Sequence, residues 1–145
     1  MRARQVGSGP EYLGVVREAR GVERSELERV REIALALPGV SERLSHGATC
    51  FFVGARPLCY FHDHHNDERV ALWCPAPTGA QATLTATDPS RYFKPTPSAN
   101  GTFSDWVGVH LDAIGVAAEW DAIADIVEDA YRLVAPARLV AELGP

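Results

Sequence analysis

The densest group of side chains able to do chemistry is the run His62-Asp63-His64-His65-Asn66-Asp67-Glu68. In an extended strand His62 and His64 fall on one side, and Asp63, Asp67 or Glu68 would complete the shell of a zinc-type ion. His62, His64 and Asp67 are the candidate metal ligands. The competing reading is a solvated hairpin tip, because an Asn-Asp turn flanked by histidines is ordinary loop chemistry. No second ligand group stands at a fixed spacing elsewhere, so the loop reading is preferred and no cofactor is expected.

The thiols are Cys50, Cys59 and Cys74, and His46 or His110 could act as a base beside one of them. Strand alternation argues against catalysis. With regular hairpins, Cys50, Phe52, Cys59, Phe61, Val70, Leu72 and Cys74 project to one side, the more continuously apolar one, which should face the helices. A cysteine buried there behaves as a small hydrophobe. The same register sends Phe51, Val53, Tyr60, His62, Ala71 and Trp73 to the opposite side, joined by Trp106, Gly108 and His110 from a later strand.

A two-layer fold leaves one sheet face toward water, yet this face carries four aromatics and two histidines. Either the long loop or residues 1–24 folds over it, or it is a surface for a ligand, a partner or a second copy of the chain in a homodimer. His46, Phe51, Tyr60, His62, Trp73, Trp106 and His110 make up the candidate binding face. Bases can stack on such a platform, but that mode also needs a cationic groove. Arg56, Arg69, Arg91 and Lys94 are the residues placed to supply one.

The elements that must position these groups follow from local pattern. Ser25 and Glu28 form a capping box, and Leu27, Val30, Ile33, Ala34 and Leu37 then make one apolar helical stripe that ends at Pro38-Gly39. Strand-like runs cover 49–53, 58–63 and 69–74, separated by loop-forming residues at 54–57 and 64–67. Thr78 with Gln81 repeats the capping pattern and predicts a short helix over 79–86. Residues 87–105 carry three prolines and read as a long shaped loop, and 106–111 alternate as a strand. Trp120, Ile123, Ala124, Val127, Ala130, Tyr131 and Val134 form the apolar face of a last helix, which Pro136 stops. The order α-β-β-β-α-β-α with local hairpins predicts an α+β two-layer sandwich, an antiparallel sheet with helices on one face.

A chain of 145 residues with 46% apolar and 23% charged residues fits one globular domain. The domain is expected over 25–145, after a poorly ordered extension at 1–24. No apolar run approaches the ~20 residues that cross a bilayer, and the basic N-terminus has no apolar core behind it, so neither a membrane association nor a signal peptide is expected. An odd number of cysteines without a CxxC pair points to a reducing, cytoplasmic setting. The formal net charge is −5, unevenly spread. Residues 1–24 hold five Arg against three Glu, whereas the rest holds nine Lys or Arg against sixteen Asp or Glu.

Several segments in order resemble the YjbR/MmcQ family. They are Ala36-Leu37-Pro38-Gly39-Val40-Ser41-Glu42, then His46-Gly47 leading into an aromatic strand, the turn Gly54-Ala55-Arg56-Pro57, and Asp88-Pro89-Ser90-Arg91-Tyr92-Phe93. Trp106-Val107-Gly108-Val109 and Tyr131-Arg132-Leu133-Val134-Ala135-Pro136 complete the likeness over about residues 26–140. The resemblance implies a CyaY-like sandwich and brings a DNA-binding label tied to a double-wing motif. Arg56 stands where the family usually has Lys, and the loop before Trp106 lacks the basic residues often found there. The fold also invites comparison with frataxin-type iron binding on the acidic side of the last helix, although a solvated polar face explains that charge equally.

No paired carboxylates, nucleophile elbow, P-loop or dinucleotide fingerprint occurs. The expectation is a non-enzymatic binding domain using the open aromatic face, against a metal protein or enzyme built on residues 62–68. Phosphate neutralisation governs non-specific DNA affinity, and the folded part is net acidic. Titration with duplex and single-stranded oligonucleotides at physiological salt should therefore give dissociation constants weaker than ~10⁻⁶ M, the tight edge of non-specific binding. A submicromolar value would overturn this expectation.

Overall fold

Ser25 and Glu28 cap the first helix reciprocally, as the sequence predicts. The Ser25 hydroxyl accepts from the Glu28 amide at 3.2 Å, and the Glu28 carboxylate accepts from the Ser25 amide at 3.1 Å. A computed structural model describes residues 25–63, 69–96, 101, 103–113 and 117–144. The expectations for residues 1–24 and for His64 and Asp67 lie outside the described residues. Helix α1 covers Glu26–Leu35 and is followed by four strands: β1 Val40–Ser45, β2 Ala48–Val53, β3 Arg56–Asp63 and β4 Val70–Pro75. Helix α2 (Ala80–Thr87), the short strand β5 (Tyr92–Phe93) and β6 (Trp106–His110) come next. A 3-10 turn at Leu111–Ala113 leads to α3 (Ala117–Val134) and α4 (Ala137–Leu143).

The six strands form one antiparallel sheet in the order β1-β2-β3-β4-β6-β5. All four helices contribute to the core on one face. Val30 and Ala34 of α1 meet Ile123, Val127, Ala130 and Tyr131 of α3 over Phe61, Leu72, Val107 and Val109 of the sheet. Ala80 and Leu84 of α2 and Leu139, Val140 and Leu143 of α4 pack against that cluster. This is the expected α+β two-layer sandwich. No helix among the described residues is long and apolar enough to cross a membrane.

Three elements beyond the predicted order appear, each where the local signal is weak. Strand β1 reads Val-Ser-Glu-Arg-Leu-Ser, without the apolar alternation that marks a half-buried strand. It forms because it pairs with all of β2 and because Arg31 of α1 grips Glu42 through three contacts of 2.8–3.1 Å. Strand β5 is two residues long and pairs with β6 at Tyr92↔Val109 and Phe93↔Gly108. Pro136 ends α3 and also opens α4, sitting at its N-cap with extended backbone. The second capping box does not form. Gly79 takes the N-cap of α2 at φ 89°, one place past Thr78, and no side chain caps the helix.

The register between β2 and β3 differs from a regular hairpin. Phe52 lies opposite Pro57 but Phe51 lies opposite Cys59, so Leu58 is an extra residue in β3. Proline lacks the ladder's donor and is at home beside such a bulge. From the bulge outward, the side facing each β2 residue is inverted relative to the regular pairing. Phe51 and Val53 therefore enter the helix-side core, where Phe51 is fully buried. The placement of Phe51 on the open face is corrected accordingly, as is that of Cys50 on the helix side.

Tyr131 ties the two ends of the domain together. Its ring is fully buried, and its hydroxyl donates to the carbonyl of Pro38 in the turn between α1 and β1. Burial pushes the phenol's pKa upward, away from neutral pH, where a phenol is already a donor. Tyr131→Phe keeps the ring and removes only the hydroxyl. Urea unfolding should register a loss of about 0.5–1.5 kcal/mol, the net worth of one such bond. An unchanged midpoint and slope would show that the bond contributes nothing.

Candidate functional site

The open face is assembled from cross-strand rungs. Cys50 pairs with Tyr60, Tyr60 with Trp73, Trp73 with Gly108, and Gly108 with Phe93, so these five share one side of the sheet. The adjacent rung on that side holds His62, Ala71 and His110. Small residues alternate with rings, and the rings lean over them. A Cβ on Gly108 would come within 2.3–2.6 Å of the Phe93 ring, so glycine is what lets Phe93 lie across the strand. Phe93 then stacks on His110 with centroids 4.4 Å apart and planes 25° apart.

One ring comes from outside the sheet. Phe103, in the loop before β6, reaches back over the face and contacts Tyr60 (5.5 Å, 74°), Trp73 (5.4 Å, 77°) and Trp106 (4.8 Å, 83°). These are edge-to-face contacts, the favoured arrangement of aromatic quadrupoles. Phe103 has φ 78°, a left-handed conformation uncommon for a bulky residue. The surrounding backbone is held by Gln81 of α2, whose amide donates to the carbonyls of Ser104 at 3.1 Å and Trp106 at 2.7 Å. Gln81 was expected in a helix cap; it serves as a clamp on this loop.

Between Phe103 and the β1–β2 turn lies a half-enclosed cup of about 170 Å³. Ser45, His46 and Ala48 line it from the turn, Tyr60, His62 and Trp73 from the sheet, and Phe103 from the loop. The turn needs positive φ at both central residues, and His46 (53°) and Gly47 (81°) supply it. That geometry brings His46 to the rim. His62 is nearly buried and packs against Trp73 at 4.3 Å. Burial raises the Tyr60 phenol's pKa.

Four of the sequence-predicted face residues, His46, Tyr60, His62 and Trp73, thus meet in one cup. Trp106 stands behind Phe103, 5.5 Å from Tyr60, and His110 belongs to the separate stack with Phe93. Phe51 is on the other face. Sequence reasoning missed Phe103, whose position inside a proline-rich loop carries no periodic signal. It also missed Arg43 of β1, whose guanidinium lies 3.9 Å over the Phe52 ring on the open side.

The basic candidates separate into two kinds. Arg69 donates to both oxygens of Asp112 at 2.8–3.0 Å, which holds that carboxyl below the usual carboxylate range. Arg91 pairs with Glu119 and approaches Asp88 at 3.8 Å. Arg56 and Lys94 are exposed. No group of three His, Cys, Asp or Glu among the described residues could hold a metal ion. Ser45 Oγ lies 3.2 Å from His46 Nδ1, but these neighbours sit on an exposed turn and no described carboxylate orients the imidazole.

All three cysteines are free and buried. Cys59 and Cys74 are on the helix side, while Cys50 lies under the open face with its thiol 3.7 Å from the Ala48 carbonyl. Hydrogen bonding to Cys74, with burial behind it, pushes the Cys59 thiol well above its ordinary pKa, and burial raises Cys50. Thiolate is the reactive form. A thiol reagent at neutral pH should label none of the three in the native protein within the time it labels all three in denaturant. Rapid native labelling of Cys50 would show that its strand opens.

Comparison with known proteins agrees with this architecture. A family model described as YjbR matches residues 35–133. The crystal structure of a Deinococcus radiodurans protein, DR2400, carrying family-model domain DUF419, superposes with a TM-score of 0.59 at 16% identity, covering 81% of this chain and 87% of that one. At that identity the likeness speaks for the fold alone. No curated protein matches the sequence. With the family model spanning well over half its length, the chain belongs to the YjbR family.

Proposed function

We propose that this domain is a non-enzymatic binding module whose ligand enters the cup on the open sheet face. The observation that carries the reading is the convergence of two strands, a hairpin turn and a loop on one half-enclosed space lined by Tyr60, His62, Trp73, Phe103 and His46. Concave, largely apolar sites with a few polar groups are where small ligands bind. At about 170 Å³ the cup is below the ~300–1,000 Å³ of sites for drug-sized molecules, so it suits a single headgroup or side chain. Absence of an activated nucleophile among the described residues favours binding over catalysis. The free thiols suit a reducing compartment, and we place the protein in the cytoplasm on that ground.

A larger groove of about 560 Å³ lies between α2 and α3, lined by Ala80, Leu84, Tyr92, Ile126, Asp125 and Asp129 among others. It is the natural competitor, but among the described residues Tyr92 is its single aromatic and no imidazole lines it. DNA is disfavoured as the ligand because the chain is net acidic and Arg69 and Arg91, two of the four basic candidates, are already engaged by carboxylates. Fragment titration followed by NMR separates the two cavities. Small aromatic and amine probes should shift the Trp73 indole resonance. Ala48→Leu, which fills the cup from an edge-proximal strand position, should abolish those shifts while leaving the fold intact. Probes that shift Ala80 and Ile126 and leave Trp73 unmoved would transfer the site to the groove.

A further inference from the structure

Which chemistry fits the cup can be read from its walls, on the assumption that the cup is the binding site. We infer that it takes a methylated ammonium group. Tyr60, Trp73 and Phe103 present rings at steep mutual angles, Tyr60 to Phe103 at 74° and Trp73 to Phe103 at 77°, with the His62 ring at 79° to Tyr60. Three aromatic rings and an imidazole border the cup, and a wall of π systems suits a cation with no hydrogens to donate. The volume of about 170 Å³ holds one such headgroup and little else.

Other charge classes fit less well. Among the described residues lining the cup no Lys or Arg would receive an anion, and the chain's net charge of −5 repels one. Among the described residues no Asp or Glu lines it either, so an unmethylated ammonium would lose its strong hydration without gaining a counterion from them. Methylation removes that hydration cost while keeping the charge that the rings attract. A metal ion is not supported, since the described residues offer no three-ligand group.

The test compares charge at constant shape. Tetramethylammonium and choline are titrated beside 3,3-dimethyl-1-butanol, choline's uncharged isostere, with the Trp73 indole signal and calorimetry as readouts. The cations should bind more tightly than the alcohol by roughly five- to thirtyfold, the span expected of desolvated cation–π contacts. Phe103→Leu keeps apolar bulk and removes one of three rings, so it should reduce that preference while the alcohol's affinity holds. Ala48→Leu, which blocks the space, should abolish binding of both. A trimethyllysine peptide with its unmethylated control identifies whether the headgroup arrives on a side chain or as a free amine. Binding by either methylated form upholds the inference. Alcohol bound as tightly as choline, with Trp73 still responding, would overturn the ligand class and leave the cup as the site. If no probe of either kind moves Trp73, both the ligand class and the site are refuted.

Discussion

One inserted residue decides which side chains the sheet offers to each layer. Because Leu58 is extra in β3, Leu58 and Cys59 both turn into the core, and Phe51 rather than Cys50 lies opposite Cys59. A one-residue shift in a strand exchanges its whole inner and outer sets. Here the exchange places Phe51 and Val53 under the helices, where large apolar groups gain most from burial. It leaves Cys50, Phe52 and Arg43 on the open side, and the cation–π contact of Arg43 with Phe52 then covers that end of the face. Tyr60 and His62, beyond the bulge, keep the orientation that regular pairing with β4 gives them. The cup depends on both facts, since Ala48 must stand on the same side as Tyr60.

The second constraint is the placement of small residues. Gly108 and Ala71 each occupy the position beside a large ring on the open face, so Phe93 can lie across Gly108 and the His62 and Trp73 rings can meet at 51°. Tilted rings leave space that a row of upright rings would fill. Tyr60 and Trp73 are consequently only partly covered, and Phe103 meets their exposed edges. The same rung that gives the sheet its cross-strand packing thus gives the cup its floor.

How much of this was legible depended on whether the signal was local. The caps and apolar stripe of α1 and the long face of α3 are carried by residues three and four apart, and both helices stand where the periodicity puts them. The four inner strands, β2, β3, β4 and β6, were legible as strands, and with the last three His62, Trp73, Trp106 and His110 on one side. The bulge was not, because nothing in Pro57-Leu58-Cys59 distinguishes a regular strand from one with an extra residue until both partners are known. Strand β1 was hidden for a related reason: its stability comes from β2 and from the Arg31–Glu42 clamp, not from its own pattern. Gln81 carried a true signal for a polar interaction, but Gly79 moved the cap and freed the amide for the loop.

The loop that carries Phe103 is where structure and function meet energetically. Fixing a backbone residue costs about 1–2 kcal/mol in conformational entropy, and burying most of one aromatic ring returns about 1.5–3 kcal/mol. One ring cannot by itself hold a segment of several residues in place, and still less one at φ 78°. The two Gln81 bonds and the amide of Trp106, which donates to the Phe103 carbonyl at 3.1 Å, supply the remainder. On the proposed reading, a group filling the space between Phe103 and the His46 turn would add contact area to a ring already engaged by Tyr60 and Trp73. On that reading, a ligand touching Phe103 would favour this position of the ring by as much as it binds this position better than any other.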